Sequence, residues 1–275
     1  MINLKERETI LNKINKDEDR LLISKVLDKA AQCEKTNSLA YTHFFDPYQG
    51  ELVEQILGTC KSKGMLSHDV DYSFTGGHDN AERIIAIFTH DFMKKNYIPP
   101  LQVLKIKHKS SGSSSYISLS HRDYLGSLMA LGIKREFIGD ILVREDGCDI
   151  IVLGEIADYL IYNLEKVGNV RVSMEIASLT KLEAPMVRTR EIQVAVASLR
   201  LDCIAKAGFS ESRTDISDLI KSEKVFVNWE MVSNSSKILK AGDTVSARGY
   251  GRIVLTEVGG QSRKDRTIVH ITVLV

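Results

Sequence analysis

Arg213, Ser217, Lys221 and Lys224 recur at three- and four-residue spacing, and on a helix they form a stripe roughly 80° wide. Beside that stripe Ile216, Leu219 and Ile220 fall at i, i+3, i+4, so one face packs and the adjacent face is cationic. Ammonium and guanidinium groups in this pattern break no bonds; they neutralise phosphates, and the chemistry they suggest is grip on an RNA backbone. Arg200 adds a fork for bidentate contact, Lys206 a further ammonium, and Asp202 a helix-start carboxylate that orients a nearby Arg. Arg248 and Arg252, four apart in ARGYGRIV, read as one strand face that broadens the patch.

Two short helices feeding a strand must position these groups. The first is expected to have Ser198 as N-cap, Asp202 in its first turn and Gly208 as its stop. The second opens with Ser212 three residues before Asp215, a capping-box spacing.

Residues 187–255 resemble the S4 RNA-binding domain. The resemblance rests on Arg200-Leu201-Asp202, Ser212-Arg213, Leu219-Ile220, Val225, Val227 and Asn228, then Gly242, Asp243, Val245 and Arg248. The departure is Glu223 or Lys224 where that family commonly has Gly, so the helix-to-strand turn is open to a local difference.

The chain's 275 residues are 43% hydrophobic, enough for a sizeable core and two or three domains. A net charge of +1 hides an asymmetry: residues 186–275 hold 14 Lys and Arg against 10 Asp and Glu, residues 1–185 hold 23 against 26. The near-neutral total speaks against a bulk nucleic-acid packaging protein. Cys33, Cys60, Cys148 and Cys203 are scattered, without the spacing of a zinc site or a disulfide framework, which suits a reducing cytoplasm. No apolar run reaches the roughly 18 to 20 residues of a membrane span, and no signal-peptide core is present. Neither a membrane partner, a metal nor a cofactor is expected.

The fold class implied is α+β, with a helical N-terminal domain (1–75), a ferredoxin-like middle domain (76–182) and an S4-type domain (187–275) extended by a C-terminal hairpin. In the first, a helix is expected over 19–35 and another from Asp46-Pro47-Tyr48-Gln49, where Asp46 caps and Gln49 completes the box; residues 61–78 read as a polar lead-out. In the second, 84–88 reads as a strand, and from Leu101 the order is strand, helix, strand, strand, helix, strand, the split βαβ order. A short strand is expected at 116–120, a hairpin turn at Asp146-Gly147, and helix stops at Gly132 and Gly168.

The strands 101–107, 138–145, 148–153 and 170–176 carry no aromatic residue, so base stacking on that sheet is disfavoured. Lys105, Lys107 and Lys109 alternate along one strand face, with Lys134 and Arg135 at a helix-to-strand turn. These are either secondary phosphate contacts or a solvated edge kept soluble by lysines. Arg263, Lys264 and Arg266 offer the same choice in the loop before the last strand.

Enzyme signatures fail on inspection. His121-Arg122-Asp123 lacks the Asn that a kinase catalytic loop needs five residues on, since Leu128 stands there. Thr75-Gly76-Gly77-His78 lacks the spaced glycines and Lys of a phosphate loop and reads as a tight turn. Arg200-Leu201-Asp202 is also a pseudouridine-synthase pattern, but only about 70 residues follow it, too few for that catalytic domain.

A wider resemblance spans nearly the whole chain. Tyr41-Thr42-His43-Phe44-Phe45-Asp46-Pro47, Gly76-Gly77 with Ala81-Glu82-Arg83, and the runs 121–143 and 156–172 are similar to the YlmH family. That resemblance implies a non-enzymatic factor that binds rRNA and tRNA on the large ribosomal subunit and assists quality control of stalled nascent chains. It also implies a less defined link to cell division. Two other readings stay open: an RNA-modifying enzyme with its site in the middle domain, and a protein-interaction role for the N-terminal helices.

Overall fold

The computed structural model describes residues 4–93, 97–109, 119–179, 182, 189–262 and 265–274. It divides into two compact units, Met1–Pro185 and Met186–Val275.

The first unit opens with α1 (Leu4–Leu11), α2 (Asp17–Thr36), β1 (Ala40–Tyr41), α3 (Pro47–Ser62), β2 (Val70–Thr75) and β3 (Ile85–His90). At the start of α3 the Gln49 amide donates to Asp46 at 2.9 Å, the Asp46 amide donates to Gln49 Oε1 at 3.1 Å, and Pro47 fills the first helical position. Helices alone do not complete this part. An antiparallel sheet of order β1-β3-β2 joins them, so β2 forms inside the stretch expected to be a polar lead-out. Its central strand, β3, is buried on both faces. Ala86 and Phe88 pack with Ile23, Val26, Val53 and Leu57 of α2 and α3, while Ile85 and Ile87 join Phe44, Leu101, Val103, Ile151 and Leu153. The expected domain boundary at residue 75 therefore cuts a sheet whose middle strand serves two cores.

The unit continues with β4 (Leu101–His108), α4 (His121–Ala130), β5 (Ile138–Arg144), β6 (Gly147–Leu153), α5 (Ala157–Asn163), β7 (Lys166–Val167) and β8 (Val170–Ala177). The sheet runs β5-β6-β4-β8-β7, every pair antiparallel. Apart from the added β7, element order and pairing are those of the split βαβ arrangement. Tyr124 and Leu128 of α4 and Leu160 of α5 cover one face through Leu104, Ile106 and Ile150.

Two glycines play other parts than expected. Gly147 pairs with Arg144, so the hairpin turn is Glu145-Asp146. A Cβ on Gly147 would lie 1.9 Å from the Ile106 carbonyl oxygen, so the missing side chain lets β4 and β6 approach. Gly168 does not end α5, which stops at Asn163; at φ 55 it makes the turn between β7 and β8. The short strand expected at 116–120 lies largely outside the described residues.

The second unit holds β9 (Thr189–Val196), α6 (Leu201–Phe209), α7 (Arg213–Lys221), β10 (Val225–Val227), β11 (Glu230–Met231), β12 (Thr244–Ala247), β13 (Gly251–Gln261) and β14 (Thr267–Leu274). Its sheet order is β11-β10-β12-β13-β14-β9. The helices pack on one face through Leu201, Ile204, Ile216 and Ile220 against Val225, Val245, Ile253 and Ile271.

Because the Gly147 contact is with backbone, which cannot rotate away, Gly147→Ala is expected to destabilise the first unit by about 1–3 kcal/mol. Urea denaturation of the full chain checks this; an unchanged transition for the first unit would contradict it.

Candidate nucleic-acid interface

The two helices of the second unit are set by local contacts. Arg200, not Ser198, is the N-cap residue of α6, and no side chain caps it. Instead the Leu201 amide donates to the Lys237 carbonyl at 2.8 Å and the Asp202 amide to the Ser235 carbonyl at 3.2 Å, so the loop before Leu239 supplies acceptors for the orphan donors. Gly208 lies inside α6, which ends at Ser210 with φ 60. A Cβ on Gly208 would sit 2.4 Å from Ile253 Cδ1, so this glycine presses the helix onto β13. The Asp215 amide donates to Ser212 Oγ at 3.1 Å, and that hydroxyl donates to the Asp215 carboxylate at 2.6 Å. Ser212 is thus occupied in capping α7.

Asp202 ties the helices together. Arg200 donates Nε and Nη2 to its two oxygens at 3.1 and 3.2 Å, and Arg213 donates Nε and Nη2 to Oδ2 at 3.0 and 2.8 Å. The carboxylate side chain is 7% exposed, whereas the Arg200 and Arg213 side chains are 36% and 58% exposed. Two guanidiniums on one carboxylate leave a surplus positive charge, with the rest of each fork open to a second anion. Burial alone would raise the Asp202 carboxyl, but hydrogen bonds from Arg213 and Arg200 outweigh it and hold it below the usual carboxylate range.

Lys206, Lys221 and Lys224 are exposed and Ser217 is half-buried, all on or next to these helices; Lys221 stands 3.9 Å from Asp218. Arg248 and Arg252 do not lie along one strand. Arg248 lies in the turn after β12 and Arg252 on β13, because Gly249 and Gly251, at φ 90 and 94, fold ARGYGRIV into a turn. Arg248 lies over the Phe226 ring at 5.3 Å and Arg252 over the Trp229 ring at 5.7 Å. Arg252 alternates with the core residue Ile253, so it projects from the sheet face opposite α6 and α7.

Other positions of the sequence pattern are structural. Asn228 Nδ2 donates to Asp243 at 2.9 Å, the Thr244 amide donates to Asn228 Oδ1 at 2.9 Å, and the Lys240 amide donates to buried Asp243 at 2.9 Å. Glu223 stands at φ 58, a left-handed conformation that explains why glycine suits this turn.

The secondary cations fall into separate groups. Lys105 is half-buried and in register with Asp149 and Glu175, while Lys107 and Lys109 are exposed toward the far end of β4. Lys134 and Arg135 precede β5, whose first residue Ile138 pairs with Val152 opposite Gln102, near the start of β4. They form no patch with Lys107 and Lys109. Arg266 is exposed, and Arg263 and Lys264 lie outside the described residues.

Asp123, from the kinase-like triplet, accepts from the Ser120 amide and hydroxyl at 2.8 and 2.7 Å and closes a capping box. The glycine turn at 75–78 is pinned to β5 by His78 Nε2 against Asp140 at 3.0 Å. Among the described residues no cluster of His, Cys, Asp and Glu is placed to hold a metal, and no helix is long and apolar enough to cross a membrane.

Asp202→Asn is expected to destabilise the second unit by about 1 kcal/mol at neutral pH, the exposed arginine ends screening the cluster. A depressed folded-state pKa means the carboxylate's stabilisation is full above its unfolded pKa of about 4 and is lost as pH falls through the lower folded value. The gap between wild type and variant should therefore close on acidification, as denaturant midpoints at pH 7, 4 and 3 would show.

Residues 100–181 match the family described as "Putative RNA-binding domain in YlmH" and residues 199–245 match the S4 domain. The chain is 32% identical over 263 residues to "Ribosome-associated protein quality control protein P2" of Bacillus subtilis (strain 168), covering 94% of this chain and 95% of that protein. It is also similar to the solved structure "Cell division protein ylmH from Streptococcus pneumoniae", with TM-score 0.46 and 20% identity, over 61% of this chain and 96% of that one. With an S4 module following the matched middle segment and a relative aligned nearly end to end, the chain belongs to the YlmH family of S4-domain proteins.

Proposed function

We propose that this chain is a non-enzymatic RNA-binding factor that docks on the large ribosomal subunit, contacts rRNA and peptidyl-tRNA, and assists quality control of stalled nascent chains. The observation that carries the reading is the Asp202 clamp, which presents Arg200 and Arg213 as a fixed pair beside exposed Lys206, Lys221 and Lys224. Family membership and the similarity to a ribosome-associated quality control protein of Bacillus subtilis support the ribosomal setting. Both oxygens of Asp202 accept hydrogen bonds from guanidiniums, an arrangement that suits positioning better than nucleophilic attack or proton transfer. Holding folded RNA in place requires no reactive group.

Removing Arg200 or Arg213 also strips a partner from a nearly buried carboxylate, so the cleaner probes are the exposed lysines. Co-sedimentation with large subunits across a salt series should weaken for Lys221→Ala and Lys224→Ala, the log–log salt slope falling by about one for each phosphate that is no longer neutralised. Arg200→Ala with Arg213→Ala should abolish most of the association. Salt-insensitive association that survives all four substitutions would reject the face.

A further inference from the structure

In the first unit, α2, the segment after β1, Arg83 and residues 134–136 enclose a cavity of about 610 Å³, a size that holds small organic ligands. Its lining is of two kinds. Leu21, Leu22 and Val26 of α2 give an aliphatic part, with Leu21 58% exposed. Five cations give the other: Arg83, Lys134, Arg135, Lys25 and Lys29.

Four carboxylates also border the cavity, but three are engaged. Asp28 pairs with Arg7 at 2.6 Å, Asp46 accepts from the Gln49 amide, and Glu136 faces His43 at 3.2 Å. The fourth, Glu18, lies in the first turn of α2, where the helix dipole favours a negative charge.

The two arginines point most directly to a ligand. Arg83 donates Nε to the Ile138 carbonyl at 2.9 Å and Nη2 to the Phe44 carbonyl at 3.3 Å. Arg135 donates Nη1 to the same Ile138 carbonyl at 2.7 Å and to that of Gly139 at 3.0 Å. Carbonyl dipoles thus hold two like charges side by side in a partly dry setting. Asp140, nearby, already accepts from the amides of Glu82 and Arg83 and faces His78. Burial, and then the Arg83 charge, pushes Arg135 down to about 10; an anion in the cavity would relieve that repulsion.

We propose that this cavity binds the phosphate monoester of a nucleotide, the phosphate held by Arg135 and neighbouring lysines and the base and sugar lying on the aliphatic part. A phosphate monoester carries nearly two charges at neutral pH, which suits an arginine fork flanked by lysines. The phosphate has two possible sources, a free mononucleotide or the 5′-terminal nucleotide of an RNA strand. All of the lining residues belong to the first unit, whereas α6 and α7 belong to the second.

The test is calorimetric titration of the full chain with adenosine 5′-monophosphate, with adenosine, and with one RNA hexamer carrying either a 5′-phosphate or a 5′-hydroxyl. The expected result is an advantage of roughly ten-fold or more for the phosphorylated member of one pair, and the pair that shows it identifies the source. Lys25→Glu with Lys134→Glu, both at exposed positions, should erase that advantage without lowering Tm, whereas Lys221→Ala on α7 should leave it intact. Equal affinity within both pairs, or a phosphate advantage that survives Lys25→Glu with Lys134→Glu, would overturn the proposal.

Discussion

One carboxylate shared by two guanidiniums organises the cationic end of this protein. Asp202 lies in the first turn of α6, Arg200 is the N-cap residue of that helix and Arg213 begins α7, so the hydrogen bonds on Asp202 fix where the second helix starts relative to the first. Without the carboxylate, two cations would face each other across the helix junction and splay into solvent. With it, their planes are set while more than a third of each arginine side chain stays exposed. Orientation and residual charge come from the same contact, because one negative charge cannot neutralise two positive ones.

The cluster in turn depends on packing beneath it. Gly208 allows α6 to sit against Ile253, and the carbonyls of Ser235 and Lys237 satisfy the amides at the helix start. The Asn228–Asp243 pair fixes the turn after β10 and the entry to β12. These contacts place the helices without touching any ligand, and they account for several positions that recur in the S4 pattern.

In the first unit the corresponding constraint is β3. A strand buried on both faces cannot be peeled from either core, so the N-terminal helices and the β4–β8 sheet fold around a common element. That fusion brings α2 and the segment after β1 up to the residues preceding β5, and the cavity lined by Arg83 and Arg135 is its consequence. Segments more than 100 residues apart supply its walls.

Local signals carried much of this in the sequence. The capping box at Asp46 and Gln49, the cap at Ser212, the split βαβ order and the half-polar face of α7 are decided within one or two turns of chain, where spacing alone sets which groups meet. Asp202 as an arginine-orienting carboxylate was legible for the same reason. The tertiary structure decided what depends on distant partners. Gly147 and Gly208 are glycines because of Ile106 and Ile253; Arg252 lies away from the helix face because its strand neighbour Ile253 turns into the core; and β3 joins two cores because its partners come from both sides of it in sequence. Periodicity reports which face of an element is apolar, but not which other element will cover it, since that depends on how the whole chain closes.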